Sequence, residues 1–469
     1  MNAPYRPRTV VDKILDAHAV HEEGGRMLLY VDRLIAADTA LSAFSTLQKN
    51  HYRVRRPLQT IQIPDHFTPS TGPTLEDVVD DERRNLIRDT DAAARTLGVP
   101  VIGLGDPRRG IQHIVSTEQA YAQPGIVVVA ADSHTTTQGA VGALAFSIGT
   151  DLAHVFATQC VWLKRPGAMR ISLEGALAAN VTAKDVALAI VGRIGSAGAQ
   201  GMAVEYAGSF VRGVSVYGRM TLCNLAVEAG ARLAIVAPDD ITFEYLRDRP
   251  YAPSERHWDT AVRFWRTLQS DADAPYQREL SVDVSKVEPM VTWGNSTENA
   301  IPITGSVPDP ALEANPERQA QMLKSLDYMG LKPLTRLTDL AIDQVFIGSC
   351  ANSTIEDLRA AARFMHGQKV TVPTLVVAGS GLVKAQAESE GLAAIFRAAG
   401  ATWGEPGCSM CNSMNGDAVQ PGARVASTSN RNHMGRQGPG SRTHLVSPPS
   451  AAVAAITGRL ADVREFQVD

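Results

Sequence analysis

Short apolar runs alternate along this chain with segments of helical periodicity, and that alternation limits the fold more than any other feature. VPVIGLG from Val99, GIVVVAA from Gly125, DQVFIG from Asp343 and TLVVAG from Thr374 are each too short and too apolar for a surface helix. Bounded by glycine and polar turns, they read as strands buried on both faces, the arrangement of parallel sheets in α/β units. At 469 residues and 44% hydrophobic composition the chain exceeds one compact core, so two or three such units are expected.

Between the runs, TTTQGAVGALAFSIGTDLAHVFATQC after Asp132-Ser133-His134 reads as a buried helix with Gly139 and Gly142 packed closely at its start. Ser353 and Glu356 have the capping-box spacing for a helix beginning just after Cys350. The Pro-, Asn- and Gly-rich stretch from Pro289 to Pro316 reads as a connection between domains.

A net charge of -4 with no basic block excludes a protein that works by neutralising a nucleic-acid backbone. No apolar run approaches the roughly 18 residues of a membrane span, and the start carries no apolar signal core, so a cytoplasmic protein without a membrane partner is expected. The five cysteines are an odd number, and Cys408 and Cys411 have the spacing of a metal or redox site rather than of a disulfide framework. Alone, that C-x-x-C leaves zinc, dithiol and cluster chemistry open. Cys350 adds a third thiol on a second glycine-containing turn opening a helix, whose positive end favours anionic sulfur. Three cysteines holding four irons leave one iron free for oxygen ligands, a Lewis acid rather than an electron carrier. Cys160 and Cys223, in apolar helical surroundings, are expected to be packed core thiols.

Together the segments ADSHTTTQGAVGALAFSIGT, VEYAG, FIGSCANSTIEDLRAA, EPGCSMCNSMN, STSNRN and GRQGPGSRTHLVSP resemble, in order and from about Val11 to Arg464, the motifs of the aconitase superfamily. Within it they are most similar to the large subunits of 3-isopropylmalate dehydratases. The resemblance implies three α/β/α domains, 1–168, 169–300 and 301–469, around a central iron-sulfur cleft, without the fourth swivelling domain. It implies a [4Fe-4S] cluster on Cys350, Cys408 and Cys411 with one open iron, and Asn352 donating to cluster sulfur or iron-bound oxygen. Asp65, His66, His113, Asp132, His134 and Glu205 then surround the iron and handle hydroxyl and proton, and Ser133, Asn430, Arg431 and Arg436 bind a hydroxy diacid. Dehydration needs such groups: an acid for the leaving oxygen, a base for the C–H proton, and guanidinium forks for carboxylates. Composition alone makes the Asp-His pairs, His113, Glu205 and the arginines ordinary structural or surface residues; His18, His154 and His257 keep that reading.

The same resemblance implies a separate small subunit carrying the swivelling domain and the catalytic serine, with Ser441 no substitute for it. The implied reaction interconverts 2-isopropylmalate and 3-isopropylmalate through isopropylmaleate in leucine synthesis. Departures from the dehydratase pattern at Leu34, Ala37, Phe67, Ala351, Asn412 and His433-Met434 leave open another 2-substituted malate, such as homocitrate, citramalate or an aryl-malate. Leu34, Ala37 and Phe67 are expected to make the pocket rim more apolar.

Overall fold

The protein, described by a computed structural model over residues 6–149 and 151–467, builds three parallel sheets from successive parts of the chain. The first runs Thr60–Gln62, Arg33–Ala36, Val127–Ala130, Leu144–Ser147. The second runs Leu233–Val236, Met202–Ala207, Gly167–Glu174, Arg278–Asp283. The third runs Thr402–Gly404, Thr374–Val377, Gln344–Ile347, Arg424–Ser427, Arg442–Leu445. Helices connect most of the parallel strands; the exceptions are a 3-10 segment between Val127–Ala130 and Leu144–Ser147 and a loop between Arg424–Ser427 and Arg442–Leu445, and the expected α/β class is the one adopted.

Three of the four apolar runs are central strands with every residue, or all but one, buried. The run from Val99 is not a strand, making only a single bridge between Val101 and Gln62. The expected long helix after His134 is instead a 3-10 segment, Ser133–Val141, then the strand Leu144–Ser147 and a short helix Leu152–Thr158. Gly142 turns the chain at φ +77°, and apolarity without period cannot separate strand from helix. Gly139 is there for contact: a Cβ would lie 1.8 Å from the Ala234 carbonyl oxygen, so the first and second sheets meet at this point. They share one hydrophobic core, which also takes in Cys350, Cys408 and Cys411.

The helix after Cys350, Ile355–Met365, is capped one residue later than expected, by Thr354 and Asp357, while Glu356 accepts from Ser215 Oγ at 2.6 Å. Cys223 is buried in the helix Val216–Leu225, but Cys160 is half-buried at the start of an antiparallel strand, Cys160–Lys164. The stretch from Pro289 is more than a connection. It forms a hairpin, Met290–Thr292 with Ala300–Pro302, whose Thr292 hydroxyl accepts from Leu445 N at 2.7 Å.

That junction contains a buried histidine with a fixed tautomer. Arg424 donates to His444 Nε2 at 2.9 Å, which leaves Nδ1–H to donate to the Thr292 carbonyl at 2.6 Å. Burial and the Arg424 charge push its pKa down to about 3, so the fold accepts only the neutral ring. The unfolded chain takes up that proton below about pH 6.5, so the contribution is intact above that pH and is lost as pH falls towards 3. Urea melts between pH 6.5 and 4 should show wild type losing stability more steeply than His444→Gln, by up to about 1.4 kcal/mol per pH unit; equal slopes would remove the assignment.

Candidate active site

Adjacent strands of the first sheet deliver acid or acid-histidine turns to one carboxyl edge. Asp38 follows Arg33–Ala36, Asp65-His66 follows Thr60–Gln62, and Asp132-Ser133-His134 follows Val127–Ala130. The third sheet does the same with Cys350 after Gln344–Ile347, Cys408 and Cys411 after Thr402–Gly404, and Asn430-Arg431 after Arg424–Ser427. Such edges are where open parallel sheets bind ligands, because strands end together and loops diverge. The second region contributes from a helix instead of a strand end: Asn224 and Glu228 come from Val216–Leu225 and the turn after it.

Asp132 is the hub. His66 Nε2 meets its Oδ2 at 3.2 Å, His113 Nε2 its Oδ1 at 2.8 Å, and the His134 amide donates to that Oδ1 at 2.7 Å. On its other side, His66 Nδ1 lies 2.6 Å from Asp65 Oδ1. The His134 ring reaches away, its Nε2 2.8 Å from Glu228 Oε1, and Arg431 Nε donates to the same oxygen at 2.8 Å. The result is one continuous chain of carboxylates, imidazoles and a guanidinium. Burial opposes every charge in it, but for His66 the two flanking carboxylates prevail and hold the imidazole well above its ordinary range. Asp132, contacted by three histidines, is held well below the usual carboxylate range, and Glu228 is lowered against burial by His134 and Arg431.

Asp38 was not among the expected site residues. It is fully buried, and one of its oxygens accepts from the amides of Asp65, His66 and Phe67 at 3.1, 2.7 and 3.2 Å, fixing the turn that carries the first Asp-His pair.

Beside this chain lie the three thiols, each 5–6% exposed. The Asn430 amide spans two of them, with Nδ2 3.1 Å from Cys350 Sγ and Oδ1 3.4 Å from Cys411 Sγ. Asn224 Nδ2 donates to Cys350 Sγ at 3.2 Å and Ser349 Oγ to Cys411 Sγ at 3.3 Å. The Cys408 amide donates to the Asp65 carbonyl at 3.2 Å, and ligand atoms of Asp65, His66 and Cys408 lie within 4.8 Å of one another. Both cysteine turns bend through left-handed serines, Ser349 at φ +81° and Ser409 at φ +48°, the kind of backbone strain that clusters at functional sites. Burial, and then neighbouring anionic groups, push the Cys350 and Cys408 thiols up. A bound metal reverses that balance, since a coordinating thiol is deprotonated outright. Buried soft sulfur donors, amide donors aimed at them, and His113 Nδ1 and Asn352 Oδ1 lacking hydrogen-bond partners together fit an iron-sulfur group.

Several expected roles move. Glu205 does not join the chain; it accepts from Ser270 Oγ and Tyr276 OH at 2.6 and 2.8 Å, beside a separate cavity of about 580 Å³ at the edge of the second sheet. Glu228, which the sequence did not single out, is the glutamate in the chain instead. Asn352 donates to Asp357 at 3.0 Å, bracing the helix start, and the sulfurs are approached by Asn224 and Asn430 instead. Arg436 donates through Nε to the Cys411 carbonyl at 2.9 Å, and Ser133 Oγ lies 3.4 Å from His134 Nδ1. Ser441 is 1% exposed and accepts from the Gln437 amide at 3.3 Å, an internal turn residue. Nor do the rim substitutions reach a rim. Leu34 is 0% and Ala37 5% exposed within the first sheet's core side, and Phe67 packs with Leu75 on Val78, Ile87 and Leu104.

Fold and site define a class of α/β protein in which acid-base groups from one sheet share a centre with thiols from another. Residues 12–458 match the Aconitase family (aconitate hydratase), and the chain belongs to that family, whose members are hydro-lyases that bind a 4Fe-4S cluster. Among solved structures it is similar to the holo-form of aconitase X from Thermococcus kodakaraensis, at 12% identity and a TM-score of 0.47, over 90% of this chain and 89% of that one.

Proposed function

We propose that this chain is the large subunit of a hydro-lyase that interconverts 2-isopropylmalate and 3-isopropylmalate through isopropylmaleate, in leucine synthesis. Cys350, Cys408 and Cys411 would hold a [4Fe-4S] cluster with one iron open. The observation that carries the reading is the unbroken chain from Asp65 to Arg431 set against three buried thiols. When bound, the cluster supplies a Lewis acid for hydroxyl and carboxylate oxygens.

The chain's own residues supply the rest. His134, tied to Glu228 and backed by Asp132, is placed to give a proton to the departing hydroxyl oxygen, and His66 between two carboxylates is a reservoir of positive charge beside it. Arg431, with Asn430, Ser133 and Arg436, receives the substrate carboxylates. A separate small subunit with a swivelling domain supplies the serine base and closes the pocket, a reading supported by the motif resemblance. No helix among the described residues is long and apolar enough to cross a membrane, which is compatible with the cytoplasmic location we propose.

A second reading keeps the chemistry and changes the substrate to homocitrate, citramalate or an aryl-malate. It is favoured by one departure that stays at the site: His433, exposed, lies near the charges of Glu228, Arg431 and Arg436. Anaerobic reconstitution with iron, sulfide and the cognate small subunit should give turnover that a chelator abolishes, and comparing the four malates in one assay ranks the substrates. Cys408→Ser should lose both iron and turnover; turnover surviving it would sink the reading.

A further inference from the structure

Lys184 is a cation that the acid-base chain does not use, and it is 0% exposed. It sits in the first turn of the helix Ala183–Ile194, which Thr182 and Asp185 cap, and reaches out of the second region into the third. Its Nζ donates to the carbonyls of Thr428 at 3.0 Å and Ser429 at 2.7 Å, the two residues before Asn430. The Asn430 amide in turn touches the sulfurs of Cys350 and Cys411. Thr428 Oγ1 also accepts from Gly348 N at 2.8 Å and donates to Gly348 O at 2.9 Å, two residues before Cys350. The ammonium is therefore bonded to the backbone that positions the thiols, and both of its acceptors are neutral.

A buried ammonium with only carbonyl partners is costly, unless negative charge is to be placed near it. Desolvation lowers its pKa to about 8, while Cys350, Asp357, Cys411 and Asp185 pull the other way. Three thiolates around sulfide-bridged iron would add to the negative charge that Asp357 and Asp185 already place near it.

We infer that Lys184 is the charge-compensating residue of the cysteine centre, a buried cation behind the Cys350 and Asn430 turns that stabilises the anionic cluster and its reduced state most. The inference rests on the three-cysteine reading of the cofactor. Lys184 acts on the cluster by charge and on Asn430 by position; it does not touch substrate.

The test uses the reconstituted full chain and reads potential and iron retention, not turnover. Lys184→Gln removes the charge and leaves an amide donor one bond shorter facing the same carbonyls, whereas Lys184→Arg keeps the charge. Expected are a midpoint potential for Lys184→Gln more negative than wild type by about 59 mV, equivalent to a tenfold change in a one-electron equilibrium, and faster stripping of iron by a chelator. Lys184→Arg should stay near wild type. The metal-free Lys184→Gln protein should melt no lower than metal-free wild type, since a buried charge whose hydrogen-bond acceptors are neutral carbonyls is gone; a merely structural lysine would lower that melt and leave the potential unmoved. Equal potentials in Lys184→Gln and wild type, or a Lys184→Arg shift as large as that of Lys184→Gln, overturn the inference. Failure of wild type itself to assemble a cluster overturns the cofactor reading and this one with it.

Discussion

Asp132→Asn should lower kcat by roughly 10²–10⁴-fold with the chain still folded. Asp132 offers two acceptor oxygens, and three histidines use them: His66 on Oδ2, His113 and the His134 amide on Oδ1. An amide has one acceptor and one donor face, so one imidazole would meet an N–H where it now meets a carboxylate. If the oxygen stays towards His134, His66 loses its second anion and the positive charge that Asp65 and Asp132 together sustain. If it turns the other way, His113 and the His134 turn are released. Either arrangement breaks the hydrogen-bonded chain that runs through Asp132 to His134. The substitution is isosteric and lies in the loop after a strand, so the melting temperature should fall only slightly. Single-turnover dehydration with the small subunit present, alongside a thermal melt, measures both. A kcat within about threefold of wild type would mean the histidines do not work through this carboxylate.

Legibility in the sequence followed whether a residue's role was local. Strands such as Val127–Ala130 and Thr374–Val377 were readable because a short apolar run between glycines has few other uses. The Asp-His and Cys turns were readable because they stand at the ends of those strands, where parallel sheets place their chemistry. Asn224 and Glu228 were not singled out, since they lie in the apolar helix T-L-C-N-L-A-V-E, and their partners are 126 and 203 residues distant. The signal was present: a polar pair four residues apart shares one helix face, and an otherwise buried face seldom carries it without a partner. Glu205 drew attention instead because its segment V-E-Y-A-G resembles a family motif, yet strand alternation turns it towards Ser270 and Tyr276. Lys184 was invisible for a related reason, as its acceptors are carbonyls 244 and 245 residues away, and carbonyls carry no sequence signature.

Glu228→Gln and Glu205→Gln therefore make a paired expectation with opposite outcomes. Glu228 Oε1 is shared by His134 and Arg431, and the carboxylate is 7% exposed, so its charge is what lets an imidazole proton and a guanidinium sit on one atom. In Glu228→Gln the same oxygen can still accept, but neutral; Arg431 loses its ionic anchor and the His134 ring its carboxylate partner. A charge-assisted bond of this kind is worth about 1.5–3 kcal/mol, so kcat/KM should fall by about 10–150-fold, because Arg431 no longer holds one position for the substrate carboxylate. Glu205 has no such duty. Ser270 and Tyr276 both donate to its Oε2, and a glutamine oxygen accepts from the same two hydroxyls, while burial already disfavours the charge that the substitution removes. Activity of Glu205→Gln should stay within about twofold of wild type and its melt should be unchanged or higher. Steady-state kinetics of both variants in one preparation of the holoenzyme decides the matter, because a drop in Glu205→Gln matching that in Glu228→Gln would return Glu205 to the catalytic centre and detach His134 from the chain described above.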